Sequence, residues 1–306
     1  MAKIYPIGGG KGGVGKSFIT ASLGALIAKW GKKVVIIDLD LGASNLHTLL
    51  GMQSPNIGLN SFLDKTVQDL ESAAVSTSIP NLFLISSSHC YMEIANLFYA
   101  HKVKIIEAIK KLPFDYVFLD LGPGTNFNML DFFLTSEEGI LICTPEPTSI
   151  ENSFRFIKTI YYRKLKQMIK KHIFNALQKD FSEDAVKPGT TPSDIIEIAL
   201  KHDPEKEGHL RSQLSKFKFK FIFNQFRNNL DATLGNQFET ICNRHFYSFF
   251  EFLGYVSFDG RIQDAIFSKT LYVHRYPHTQ SAADLKNIAA KITNHNPLSS
   301  LTDKIL

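Results

Sequence analysis

Short apolar runs rich in Val, Ile and Phe recur along the chain and predict strands at about 3–8, 33–39, 82–86, 115–120, 138–143, 217–223 and 253–258. Between most of them the apolar positions fall at helical spacing, predicting helices over 17–30, 93–111, 149–178, 233–251 and 280–293. Strands alternating with helices imply an α/β fold, a mostly parallel, doubly wound sheet flanked by helices on both faces. Ligands of such sheets sit at the carboxyl ends of the strands. Residues 165–216 break the rhythm: Tyr162, Leu165, Met168, Ile169, Ile173 and Leu177 keep helical spacing, but no strand follows until 217. After a loop at Pro188-Gly189, Thr191-Pro192-Ser193-Asp194 carries an N-cap, a first-turn proline and an acid at N3. This segment is expected to be a helical insertion in one domain spanning 1–306, because a few dozen residues bury little core alone.

The most specific chemistry lies between the first strand and the first helix. Gly10 to Ser17 fits G-x-x-x-x-G-K-[ST], with the apolar run Ile4-Tyr5-Pro6-Ile7 before it and helical sequence to Trp30 after it. Glycines let backbone N–H groups turn inward around phosphates, and the helix N-terminus adds partial positive charge. Lys16 is placed to reach the phosphates, and the Ser17 hydroxyl to take one position on Mg²⁺.

Two further strands end in carboxylates. Val34-Val35-Ile36-Ile37 runs into Asp38-Leu39-Asp40, whose acids, two residues apart, point the same way toward the ligand crevice. One could hold Mg²⁺ or its waters while the other positions an attacking water; a strand-ending turn with solvated aspartates is the alternative. Tyr116-Val117-Phe118-Leu119 ends in Asp120, which can reach the same metal through water, and Leu121-Gly122-Pro123-Gly124-Thr125 reads as a switch loop. A later strand ends at Asn224, whose amide can donate to and accept from an adenine edge, or cap a turn.

A second lysine in the loop, Lys11, sits outside the general pattern. With it, Lys11-Gly12-Gly13-Val14-Gly15-Lys16-Ser17 resembles the deviant phosphate loop of the MinD/ParA ATPases. The resemblance covers 1–60, 113–160 and 219–293. It implies ATP and Mg²⁺ as cofactors, and an ATP-dependent homodimer in which Lys11 reaches the partner subunit's nucleotide. It also implies slow, partner-stimulated hydrolysis. Lys11, Lys16 and Asp40 would be the catalytic residues, with Asp40 positioning water. Ser17, Asp38 and Asp120 would form the metal shell. Gly10, Lys11, Gly12, Gly13, Val14, Gly15, Lys16, Ser17 and Phe18 would bind nucleotide, with Asn224 and Asp259 on the adenine side. Gly254-Tyr255-Val256-Ser257-Phe258-Asp259 resembles the family's adenine-side loop, with Ser257 where relatives often carry Pro. Within the family, Asp38 to Gly51, Asp120 to Gly124 and Thr144 to Ser149 look most like the FlhG group, which sets flagellar number and position. Division-site placement is the related role, and ParA-like DNA partition the alternative.

Composition narrows the rest. With 44% hydrophobic and 21% charged residues, and no apolar run of membrane-spanning length, a cytoplasmic protein is expected. Cys90, Cys143 and Cys242 form no C-x-x-C pair, against a disulfide framework or an iron–sulfur role. A metabolic ligase of the superfamily would not ordinarily need Lys11. The tail Leu298–Leu306 has four apolar residues and one lysine, a weak anchor to an anionic membrane surface that dimerisation could strengthen. The basic stretch Lys158, Arg163, Lys164, Lys166, Lys170 and Lys171 reads as a solvated face, with anionic lipid and nonspecific DNA as functional alternatives.

Overall fold

Strand β1 (Lys3–Gly8) lies inside an eight-stranded sheet and delivers the glycine-rich loop to its carboxyl edge. The computed structural model describes residues 2–41, 44–89, 99–168, 207–227 and 229–295. The other strands are β2 (Val34–Asp38), β3 (Val75–Ser76), β4 (Leu82–Ile85), β5 (Tyr116–Asp120), β6 (Glu138–Cys143), β7 (Lys218–Phe226) and β8 (Phe249–Ser257). Their order is β3-β4-β2-β5-β1-β6-β7-β8, parallel throughout except for the β3–β4 pair. The chain winds outward from β1 in both directions, so the crevice at its carboxyl end is the topological switch point.

The long helices are α1 (Lys16–Lys29), α4 (Tyr99–Ile109), α6 (Pro147–Met168), α8 (Leu234–His245) and α11 (Gln280–Thr293). Shorter ones are α2 (Leu46–Leu49), α3 (Leu59–Leu63), α5 (Phe127–Phe133), α7 (Glu207–Ser215), α9 (Arg261–Phe267) and α10 (Tyr272–Arg275). Strand alternation sorts side chains into two cores. Val35, Ile37, Val117 and Leu119 pack beneath α4, α5 and α6, while Val34, Ile36, Tyr116 and Phe118 pack beneath α1 and α11. Burial on both faces is why these strands read as continuous apolar runs. The first core is unusually aromatic around β7 and β8, where Phe219 stacks on Phe250 at 4.8 Å and Phe221 meets Phe238 edge-on.

The predicted elements are present with shifted ends. The helix expected over 233–251 stops at His245, and its last residues belong to β8, which starts at Phe249 rather than 253. Phe250 enters the aromatic core as a strand residue paired with Phe219, a long-range contact that outweighs local helical spacing. β7 continues to Phe226, three residues beyond the expected end. The two-residue β3 carried no periodic signal and forms only by pairing with β4. Of the expected insertion, residues 165–168 finish α6 and Glu207–Ser215 forms α7; 169–206 lie outside the described residues, as does the tail from 296. The helix expected from 93 is described from Tyr99.

Candidate functional site

The loop from Gly9 to Gly15 passes over the carboxyl end of β1 and enters α1 at Lys16. The first intrahelical bond runs from Ile19 N–H to the Gly15 carbonyl. The N–H groups of Lys16, Ser17 and Phe18 therefore remain for a ligand. Gly15 adopts φ 90°, and a Cβ there would collide with the Asn224 amide, so both backbone angle and space demand glycine. The side chains of Val14 and Phe18 are buried, and Phe18 packs edge-on against Tyr272 at 5.6 Å.

The loop's two lysines have different surroundings. Lys16 is buried, and burial lowers its pKa against the opposing pull of Asp120 and Asp40. Lys11 is partly exposed and bonded within its own chain, its Nζ donating to Glu146 Oε2 at 2.7 Å and to Thr148 Oγ1 at 3.3 Å. That ammonium holds the Glu146 carboxyl below its ordinary range.

Asp38 and Asp120 face each other in register across β2 and β5. Both are buried. Burial raises Asp38 to about 6, partly offset by bonds from Ser44 Oγ at 2.6 Å, Leu46 N–H at 3.2 Å and Asp40 N–H at 3.1 Å. Asp120 is raised to about 7, first by burial and then by the Asp38 charge. Ser17 and Thr20 donate to it, Thr20 Oγ1 at 3.1 Å. Two buried carboxylates this close repel one another, and Lys16 supplies only one positive charge to offset them. The donor set therefore fits a divalent cation. No ready cage of three or more His, Cys, Asp or Glu exists among the described residues. That suits Mg²⁺, which keeps waters and phosphate oxygens beside one or two carboxylates.

Asp40 is half-buried and lies against the switch loop, where a Cβ on Gly122 would come within 3.0 Å of its Oδ1. That loop ends at Asn126, whose side chain caps α5 by accepting from Met129 N–H at 3.0 Å.

On the other flank Asn224, 3% exposed, donates its Nδ2 to the Val14 carbonyl at 2.8 Å. Its Oδ1 is buried with no hydrogen-bond partner, an acceptor suited to a base amino group. Gln225, at φ 59°, donates to the Gly13 carbonyl at 3.3 Å. Asp259 is bound by Arg261 at 2.7 Å and by the Tyr272 hydroxyl at 2.7 Å, so its carboxylate organises its own loop. Arg261 chiefly holds its pKa down, to about 2. Ser257 uses an N–H that proline lacks: its N–H and Oγ both donate to Asp284, at 2.9 and 2.7 Å.

Sequence reading did not find Thr20, Ser44 or Glu146 as members of this site. Thr20 leaves a faint signal, a polar residue one turn after Lys16 on the buried face of α1. Glu146 lies in the Thr144 to Ser149 motif noted in the sequence, but only the strand order brings it beside Lys11.

A parallel sheet with this loop at its switch point, and carboxylates closing β2 and β5, defines a P-loop nucleotide-binding protein. A family profile described as an AAA domain matches residues 2–175. The septum site-determining protein MinD of Synechocystis is 31% identical over 159 residues, 51% of this chain and 59% of that protein. The chain thus spans less than two thirds of that relative. Among solved structures, MinD of Pyrococcus horikoshii complexed with Mg-ADP superposes with TM-score 0.63 at 19% identity, covering 98% of both chains. A ParA family ATPase of Chlorobium tepidum gives 0.64 at 17% identity, covering 94% of this chain and 99% of that one. The chain belongs to the MinD/ParA family of P-loop ATPases. None of these relatives is from the FlhG group, so that narrower resemblance is not confirmed.

Proposed function

We propose that the protein is a nucleotide switch that binds ATP with Mg²⁺, closes as a homodimer and resets by slow hydrolysis stimulated by a protein partner. One observation carries this reading: Lys16, Asp38, Asp40 and Asp120 converge beside the first N–H groups of α1, with the Asp38 and Asp120 carboxyls facing each other in register and raised by burial. Ser17, Asp38 and Asp120 would hold the metal, which neutralises charge on the phosphates. Lys16 and the loop N–H groups bind and orient the phosphates. Asp40, beside Gly122, orients the attacking water and senses the switch loop. The Asn224 Oδ1 reads the base amino group, and Asp259 shapes the adenine-side loop. Lys11 leaves Glu146 and reaches the partner's nucleotide.

The division-site role of the MinD relative supports placement of a cellular structure as the output, with flagellar placement the variant that the loop motifs resemble. No described helix is long and apolar enough to cross a membrane. Light scattering after size exclusion tests the switch. We expect a monomer with ADP, a dimer with ATP, and a dimer that persists with ATP in Asp40→Ala. A monomer under every condition rejects it. Adding anionic vesicles or duplex DNA to the ATP dimer then decides between the two surfaces.

A further inference from the structure

At the amino-terminal ends of β1, β6, β7 and β8, away from the phosphate loop, the sheet face beneath α11 changes character. Nearer the loop this face carries Ile7, Ile140, Ile222 and Leu253, all buried. Two residues or more toward the amino ends, the same face carries Lys3 and Lys218, both exposed, and Glu138, Lys220 and Glu251, all part-buried. Lys291, from the end of α11, joins them, and together they line a cavity of about 450 Å³. That is within the usual range for small-molecule pockets, about 300–1,000 Å³.

The charges do not cancel. Lys220 meets Glu251 at 2.6 Å, and Lys218 lies 3.9 Å from Glu138. Lys291 donates only to the Leu253 carbonyl, at 2.7 Å, and Lys3 lies over the Tyr116 ring at 5.7 Å. Four ammonium groups thus face two carboxylates. Lys3, Lys218 and Lys291 are exposed, so their ammonium groups are open to a dissolved anion. The lysines span β1 to β7 and reach α11 above, and from β1 to β8 the cleft crosses three strand spacings, about 14 Å. Phe249, 55% exposed at the rim, offers a flat apolar surface to a carbon skeleton.

We propose that this cleft binds a small organic anion carrying at least two negative charges, independently of the nucleotide site. Lys218 and Lys291 are its principal contacts, and Glu138 and Glu251 hold the lysines apart.

The test uses the full chain saturated with Mg-ADP, so that the phosphate loop is filled, with fructose 1,6-bisphosphate and tricarballylate as probes and fructose as the uncharged control. Calorimetry should show saturable binding of at least one anion and none of fructose. The Lys218→Gln/Lys291→Gln variant should lose about tenfold or more in affinity, one charged contact being worth about that factor. It should still bind Mg-ADP. In wild type, the bound anion should also shield Lys218 and Lys291 from acetylation while leaving Lys32 and Lys65 reactive, a readout that needs no variant. Absence of binding by both anions, equal binding by the variant, or unchanged acetylation of Lys218 and Lys291 overturns the proposal.

Discussion

Lys11 and Glu146 form an ion pair at 2.7 Å across the mouth of the phosphate loop, joining the loop to the start of α6. The lysine expected to serve a second subunit is therefore held within its own chain, and closure of the proposed dimer would exchange one carboxylate partner for phosphate oxygens. Both side chains are substantially exposed, so the intrachain pair is weak and easily exchanged. Glu146→Gln should strengthen ATP-dependent dimerisation, by no more than about fivefold. Lys11→Ala should bind ATP and remain monomeric. Sedimentation equilibrium across a concentration series measures both; a weaker dimer in Glu146→Gln would show that Glu146 serves the closed state instead.

Removing Lys16 leaves the loop's N–H groups without their ammonium and Asp120 without the positive charge that Lys16 sets against it. Lys16→Ala should lose detectable ATP binding by calorimetry while remaining folded by circular dichroism. Wild-type affinity in this variant would refute the phosphate-loop assignment.

Asn224 and Gly15 are one unit, because the glycine's missing Cβ makes room for the amide. Asn224→Ala should weaken ATP binding by about tenfold, the worth of one good hydrogen bond, and leave tripolyphosphate binding unchanged. Gly15→Ala should lose both ligands, since it strains the backbone at φ 90° and displaces Asn224. Competition between ATP and tripolyphosphate separates the two outcomes.

Asp131 on α5, close after the switch loop, lies between Lys102 Nζ at 2.5 Å and a bidentate Arg163 with both bonds at 2.7 Å. Burial pushes its carboxyl up, but the Arg163 and Lys102 bonds outweigh this and hold it below the usual range. Asp131→Asn should destabilise the fold by about 3–5 kcal/mol, as it strands the buried Lys102 charge. A depressed carboxylate contributes stability that is complete above the unfolded value, about 3.9, and is lost as pH falls through the folded one. The gap between wild type and variant in urea denaturation should therefore be constant above about pH 5 and narrow below about pH 4. A gap that stays constant to pH 3 would count against ion pairing as its source.

The pieces that the fold brings together at the candidate site were legible because each is local. Glycines spaced around Lys16, an acid ending each of two apolar runs, and Asn ending a third are short-range patterns with a direct physical meaning. Asp259 shows the limit. Its position in the chain was readable, but only the fold reveals that Arg261 and Tyr272 occupy its carboxylate. The lower end of the sheet was equally hidden. Lys218 and Lys220 sit at alternate positions of the strand expected over 217–223, and nothing local signals that they meet Lys3 and Lys291 in one cleft.

The sequence by itself determined the alternation of strands and helices, the phosphate loop and the carboxylates at strand ends. Backbone periodicity, glycine geometry and burial on both sheet faces act over a few residues, and they leave their mark there. Tertiary structure decided which of these pieces meet. Asn224 lies 210 residues from Val14, Glu146 lies 135 from Lys11, and the helix-like residues after His245 became strand by joining an aromatic core. Those outcomes depend on strand order and register, which arise from the summed packing of the whole sheet and are written in no single segment.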